Sequence, residues 1–307
     1  DSFYDPPSEI PRPGTLLRSE PLSDRQIPEG WRLWRILYAT TFGDGRPATA
    51  VATVLAPAKP APGARPVLML FHGTTGIAQS CMPSLLTHQY SSVVPVWRDT
   101  LDASWVIVTT DYSTAGRADS PHEYLIGEGE ARAGLDSVRA ARQMKELTLD
   151  RERTVVWGYS QGGHAALWTG SVGPRYAPDV KLMGVVALAP VTDERKSMKL
   201  FNPTDVAQDN WWLAFAYSSF YPDVKLEESF DSRALDSVRP MSKFCAIDPA
   251  PFAEEFAKFG GAPPLADLTK GALGKRMEEN IPTAAIASPL LVVQGLSDDI
   301  IGPSVTD

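Results

Sequence analysis

The clearest pattern along the chain is a series of short apolar runs with no polar alternation. Residues 67–71 (VLMLF), 105–108 (WVIV), 155–157 (VVW), 185–188 (VVAL) and 290–293 (LLVV) share it. Runs of this length and β-branched content predict five strands buried on both faces, as in a parallel sheet covered by helices. Upstream, residues 31–41 and 48–55 are β-rich and flank Gly43-Asp44-Gly45, which predicts an antiparallel hairpin. Between the apolar runs the period changes. Over residues 128–147, Ala131, Leu135, Val138, Ala141 and Met144 recur at spacings of three and four, predicting a helix with one apolar face. The first thirty residues are proline-rich and polar and show neither period.

Strands alternating with helices predict right-handed crossovers in a mostly parallel sheet. The interval from Val186 to Leu290 is too long for one crossover helix. Residues 192–284 therefore read as an inserted helical cap, or lid, and residues 1–191 with 285–307 as the core that carries it. The most apolar stretch of the insertion is residues 210–217 (NWWLAFAY). It fits a cap helix that meets lipid and fits a buried core helix equally well.

The third apolar run breaks into Gly158-Tyr159-Ser160-Gln161-Gly162-Gly163 and then an Ala/Leu-rich helical stretch. Strand, G-x-S-x-G and helix form the nucleophile elbow of an α/β-hydrolase, in which a serine is presented above the sheet on a tight turn. Small residues two before and two after the serine let strand and helix backbones approach closely. Ser160 is thus the candidate nucleophile. Acyl transfer also needs oxyanion donors, a base and an acid that orients the base. Residues 70–76 leave a buried strand into the Gly-flanked loop His72-Gly73-Thr74-Thr75-Gly76. This places Thr74 as one backbone donor and Gln161, the residue after the serine, as the other. The competing reading of that loop is a tight strand exit with His72 as a structural histidine. Asp298 follows the fifth apolar run at the carboxyl edge where α/β sites gather, and is preferred over Asp299 as the acid. A turn or helix cap is the alternative for the Ser297-Asp298-Asp299 cluster. The base is missing from the pattern. The fold orders its triad as serine, acid, histidine, yet His72, His88, His122 and His164 all precede Asp298. The final strand and helix that close such a sheet are missing with it.

Composition narrows the partners. A formal charge of −8 without a Lys/Arg cluster excludes a nucleic-acid partner, and no run of eighteen apolar residues offers a membrane span. Asp231, Asp236 and Asp248 read as solvated faces, and no His/Asp/Glu spacing calls for a metal. No cofactor is implied. Cys81 and Cys245 are an even pair that fits one disulfide or two buried thiols. The start at Asp1, followed by a polar, proline-rich segment, reads as a mature N-terminus after signal removal.

Taken together, several segments resemble the secretory lipase family in its bacterial branch. They are Asp1-Ser2-Phe3-Tyr4 through Arg18-Ser19-Glu20-Pro21-Leu22, His72 to Gly76 followed by Cys81-Met82-Pro83-Ser84, and Thr110-Asp111-Tyr112 followed by Pro121-His122. Tyr124-Leu125-Ile126-Gly127-Glu128, Gly158 to His164, and Gln294-Gly295 through Asp298 continue the match over essentially all 307 residues. The resemblance implies a secreted serine hydrolase acting on carboxylic esters such as acylglycerols, with a helical cap over the acyl pocket. It carries the nucleophile to Ser160 and the acid to Asp298, and it favours a Cys81–Cys245 bridge, with pairing of Cys245 to a residue outside the chain as the alternative. The family's histidine has no counterpart here. It is expected from outside these residues, on a removed tail or a separate C-terminal chain. The competing expectation is a catalytically inactive hydrolase fold that binds lipid or acyl groups, or an inert fragment.

Overall fold

The computed structural model describes residues 1–22, 27, 29–59, 62–86, 105–114, 121–200, 207–259 and 267–306. Eight strands form one mixed sheet: β1 (Leu16–Leu22), β2 (Trp31–Thr41), β3 (Pro47–Pro57), β4 (Arg65–Phe71), β5 (Val106–Thr114), β6 (Leu149–Tyr159), β7 (Leu182–Leu188) and β8 (Leu290–Val293). Their order across the sheet is β1-β2-β3-β5-β4-β6-β7-β8. β1, β2, β3 and β5 pair antiparallel, whereas β5, β4, β6, β7 and β8 run parallel. The β2–β3 hairpin forms as its pattern predicts, with Gly45 at φ 87° in the turn.

Helices α1 (Gly127–Ala141) and α2 (Gln161–Tyr176) lie on the same face of the sheet and bury a core that includes Met69, Phe71, Leu135, Val138, Val156 and Ala165. A smaller apolar cluster with Leu68, Leu70, Ile107 and Trp157 occupies the opposite face. The chain passes from β4 to its neighbour β5, then crosses back over β4 to reach β6. Strand order therefore reverses between β4 and β6, and sites in open α/β sheets gather beyond the carboxyl ends of such a pair. The loop containing His72 and the elbow containing Ser160 leave these two strands.

Between β7 and β8 come α3 (Glu194–Leu200), α4 (Ala207–Phe220), α5 (Leu226–Ser229), α6 (Ser232–Met241), α7 (Ala250–Ala257) and α8 (Gly271–Glu279), and α9 (Pro303–Thr306) follows β8. α4 is buried all round: Trp211, Trp212, Leu213, Ala214 and Tyr217 are each at most 1% exposed and pack with Phe230, Phe252 and Met277. Of the two readings of residues 210–217, the core helix is the one observed.

Four sequence expectations are corrected. The first thirty residues contain β1, an edge strand with a bulge between Leu16 and Arg18. It is only partly buried and carries Pro21, so it shows no clean period. α1 stops at Ala141 rather than reaching residue 147, and tight turns follow. Asp231 is not merely solvated: its carboxylate caps α6 by accepting from the Arg233 and Ala234 amides. The fifth apolar run forms β8 but is not buried. Leu290 to Val293 are 41–55% exposed among the described residues. An apolar run marks a strand that suits an interior, but it does not say which residues supply the cover.

Candidate active site

The elbow is built by close backbone approach. β6 ends at Tyr159, Ser160 takes φ 56° and ψ −119° as the N-cap of α2, and Gln161 opens the helix. A positive φ at a residue with a β-carbon is strained, by about 1–3 kcal/mol. The turn is held from both sides. The Ser160 amide donates to the Leu188 carbonyl at 2.9 Å, and the Ser160 carbonyl accepts from His164 at 3.1 Å. A β-carbon on Gly162 would lie 2.1 Å from the Phe71 carbonyl oxygen, so only glycine lets α2 sit this close to β4. Ser160 is half-buried at the N-terminus of a sixteen-residue helix, where unpaired amides and the helix dipole favour developing negative charge.

The loop after β4 lies beside the elbow. Thr74 and Gly73 are half-buried, and the Thr74 hydroxyl is 2.9 Å from the Tyr124 phenol. The Tyr112 phenol donates to the His72 carbonyl at 2.7 Å, and the Ala246 amide donates to the Thr75 carbonyl at 2.9 Å. A disulfide joins Cys81 to Cys245 across 164 positions and straps the end of this loop to the segment after α6. Gly76 at φ 114° accommodates it, since a β-carbon there would meet the Cys81 sulfur at 2.8 Å.

None of the three described histidines bonds the Ser160 hydroxyl. His72 is buried, its Nδ1 lies 2.6 Å from the Gly73 carbonyl and its Nε2 has no partner; burial pushes its pKa down to about 4. His122, pushed down to about 3 by burial and then by His72, accepts from Gln161 Nε2 at 3.1 Å. His164 points behind the elbow, with Nδ1 3.1 Å from Glu130 Oε2 and Nε2 2.8 Å from the Asn280 carbonyl. His88 lies outside the described residues.

Asp298 stands five residues beyond Val293, which pairs across β7 with the row that ends in Tyr159. Its Oδ1 accepts from the Ile300 and Ile301 amides at 3.0 and 2.9 Å, and Oδ2 accepts from Gln294 Nε2 at 3.2 Å. The carboxylate thus organises its own turn while remaining half-exposed at the same edge as Ser160. Asp299 is exposed. Sequence reasoning missed Glu130 and Tyr124, which touch the candidate donors from helix and loop. Glu130 sits in the apolar-periodic helix and carries no motif of its own.

A family model described as secretory lipase matches residues 84–305. The "Probable inactive lipase MT1628" of Mycobacterium tuberculosis is 26% identical, and the alignment covers 100% of this chain and 72% of that protein. "Secreted triacylglycerol lipase LIP4" of Malassezia globosa is 25% identical, over 98% of this chain and 69% of its own length. Among solved structures, Candida antarctica lipase A superposes with a TM-score of 0.80 at 19% identity, covering 100% of this chain and 75% of that one. A structural likeness at that identity establishes the α/β-hydrolase fold, and the sequence match carries the kinship.

Proposed function

This chain belongs to the secretory lipase family, and from that premise we propose that it is a secreted ester hydrolase working through an acyl-enzyme on Ser160. The observation that carries the reading is Ser160 itself, held at positive φ on a glycine-lined elbow at a helix N-terminus. In this mechanism the Ser160 oxygen attacks the ester carbonyl carbon and its proton passes to a histidine. The Thr74 and Gln161 amides stabilise the oxyanion. The same histidine returns the proton to the departing alcohol, and water then releases the acid by the reverse sequence. Asp298 orients that histidine. We place that histidine outside these 307 residues, because the fold orders its triad as serine, acid, histidine and His72, His122 and His164 make no bond to Ser160. Residues 192–284 act as the cap over the acyl group, and acylglycerols are the substrate class.

The decisive measurement is covalent labelling by a fluorophosphonate, read by intact mass. In protein that carries the histidine, labelling at Ser160, abolished in Ser160→Ala, is expected. Serine and histidine act as a unit, so loss of the base costs on the order of a million-fold in turnover. A preparation whose mass is that of these residues alone, yet which hydrolyses a p-nitrophenyl ester at ordinary lipase rates, would overturn the assignment of the base.

A second reading is favoured by the Ser160 hydroxyl, which no described histidine bonds, and by the M. tuberculosis relative's description as probably inactive: an acyl-binding protein on a hydrolase scaffold. Its signature is saturable binding of a fatty acid together with no phosphonate uptake in freshly isolated protein.

A further inference from the structure

We propose that Glu130 is a positioning residue that fixes both oxyanion donors from one buried carboxylate, an inference that rests on the acyl-enzyme reading above. Glu130 lies in the first turn of α1, is fully buried, and is bonded by no lysine or arginine among the described residues. Its Oε1 accepts from the Leu125 amide at 3.0 Å and from Gln161 Nε2 at 2.8 Å, and its Oε2 faces His164 Nδ1 at 3.1 Å.

The first bond acts on the Thr74 side. Leu125 follows Tyr124, whose phenol meets the Thr74 hydroxyl, and Leu125 is held at φ 55°, a conformation a leucine keeps only when its backbone is tied down. The second acts on the other donor. Gln161 offers its backbone N–H to the oxyanion while its side-chain amide donates both hydrogens inward, to Glu130 and to His122. Rotation of the first turn of α2 would break both bonds. Two segments far apart in sequence, residues 71–76 and 158–164, thus share one side chain as a common support beyond the sheet pairing of Phe71 with Gly158.

His164 extends the tie. Its ring nitrogens both face acceptors, Glu130 Oε2 and the Asn280 carbonyl. The pair is therefore satisfied either by an imidazolium donating to a carboxylate or by a carboxylic acid donating to Nδ1. A glutamine at position 130 reproduces the second arrangement without charge. Asn280, just after α8, also accepts from the Gly127 amide at 3.0 Å and donates to the Tyr221 hydroxyl at 2.9 Å.

The test compares wild type, Glu130→Gln, Glu130→Leu and Gln161→Met in fluorophosphonate labelling, resolving the inactivation step from encounter affinity, together with hydrogen exchange. Glu130→Leu is expected to slow the inactivation step about 10- to 100-fold, as sub-ångström displacement of catalytic groups does, with encounter affinity unchanged. Exchange should rise together at residues 71–76 and 158–164. Glu130→Gln should restore both readouts. Gln161→Met, which removes the side-chain bonds to Glu130 and His122 and keeps the side-chain volume, should give a partial loss and covers the case in which Glu130→Leu does not fold. A Glu130 that only supports the fold would lower the melting temperature while leaving the inactivation step of the folded protein and the paired exchange unchanged; that result overturns the proposal. If wild type takes up no phosphonate, the acyl-enzyme reading fails, and the exchange data still decide whether Glu130 couples the two segments.

Discussion

A β-carbon on Gly158 would stand 1.9 Å from the carbonyl oxygen of Gly162, because strand β6 and helix α2 meet at the elbow backbone to backbone. Neither backbone can move aside without breaking the sheet pairing of β6 or the first turn of α2. Gly158→Ala is therefore expected to cost about 3 kcal/mol or more, at the severe end for point substitutions. Chemical denaturation measures it. A stability within about 0.5 kcal/mol of wild type would mean that the elbow is not closed in this way.

Tyr124→Phe removes only the phenol that meets the Thr74 hydroxyl. Leaving that hydroxyl without its partner should cost about 1 kcal/mol. It should also slow phosphonate labelling of Ser160 several-fold, because the loop carrying Thr74, the proposed first oxyanion donor, loses a support. Equal labelling rates would disconnect the Tyr124 contact from the donor.

The bridge between Cys81 and Cys245 closes a long loop, so its loss releases much chain entropy in the unfolded state. Cys245→Ser is expected to lower stability by about 2–5 kcal/mol. Because the next residue, Ala246, bonds the Thr75 carbonyl, labelling should fall as well. Melting curves and labelling rates with and without reductant provide the check: a reductant-insensitive wild type would show that the strap does not hold the loop.

Burial, and then the neighbouring Asp209 and Asp193, push the Glu194 carboxyl up to about 8 from an ordinary 4.5. The folded protein thus holds a proton that the unfolded chain releases. The stabilisation from Glu194 is complete below about pH 4.5 and is lost as pH rises through 8. Glu194→Gln, which mimics the protonated form, should flatten the fall in melting temperature between pH 5 and 8. An unchanged slope would place the alkaline sensitivity elsewhere.

How much of this was legible in the sequence follows from the reach of each signal. The elbow could be read because strand, G-x-S-x-G and helix are contiguous, and the five apolar runs did become β4 to β8. The glycine-flanked loop of residues 72–76 was legible as the exit of β4. What the sequence could not disclose depends on contacts between distant residues. Glu130 occupies a helix position indistinguishable from a surface glutamate until Gln161, His164 and Leu125 are brought around it. Residues 210–217 matched two environments until Phe230, Phe252 and Met277 enclosed them. β1 escaped because an edge strand with a bulge and a proline keeps no period.

At its far margin the sheet ends on β8, whose outer row of backbone donors and acceptors is unpaired by any described strand and whose four side chains are all aliphatic. Such an edge is a template on which another extended chain can add, and natural sheets usually blunt theirs with charge, proline or cover. None of these guards is present in Leu290 to Val293, and Leu296 a few residues on is 89% exposed.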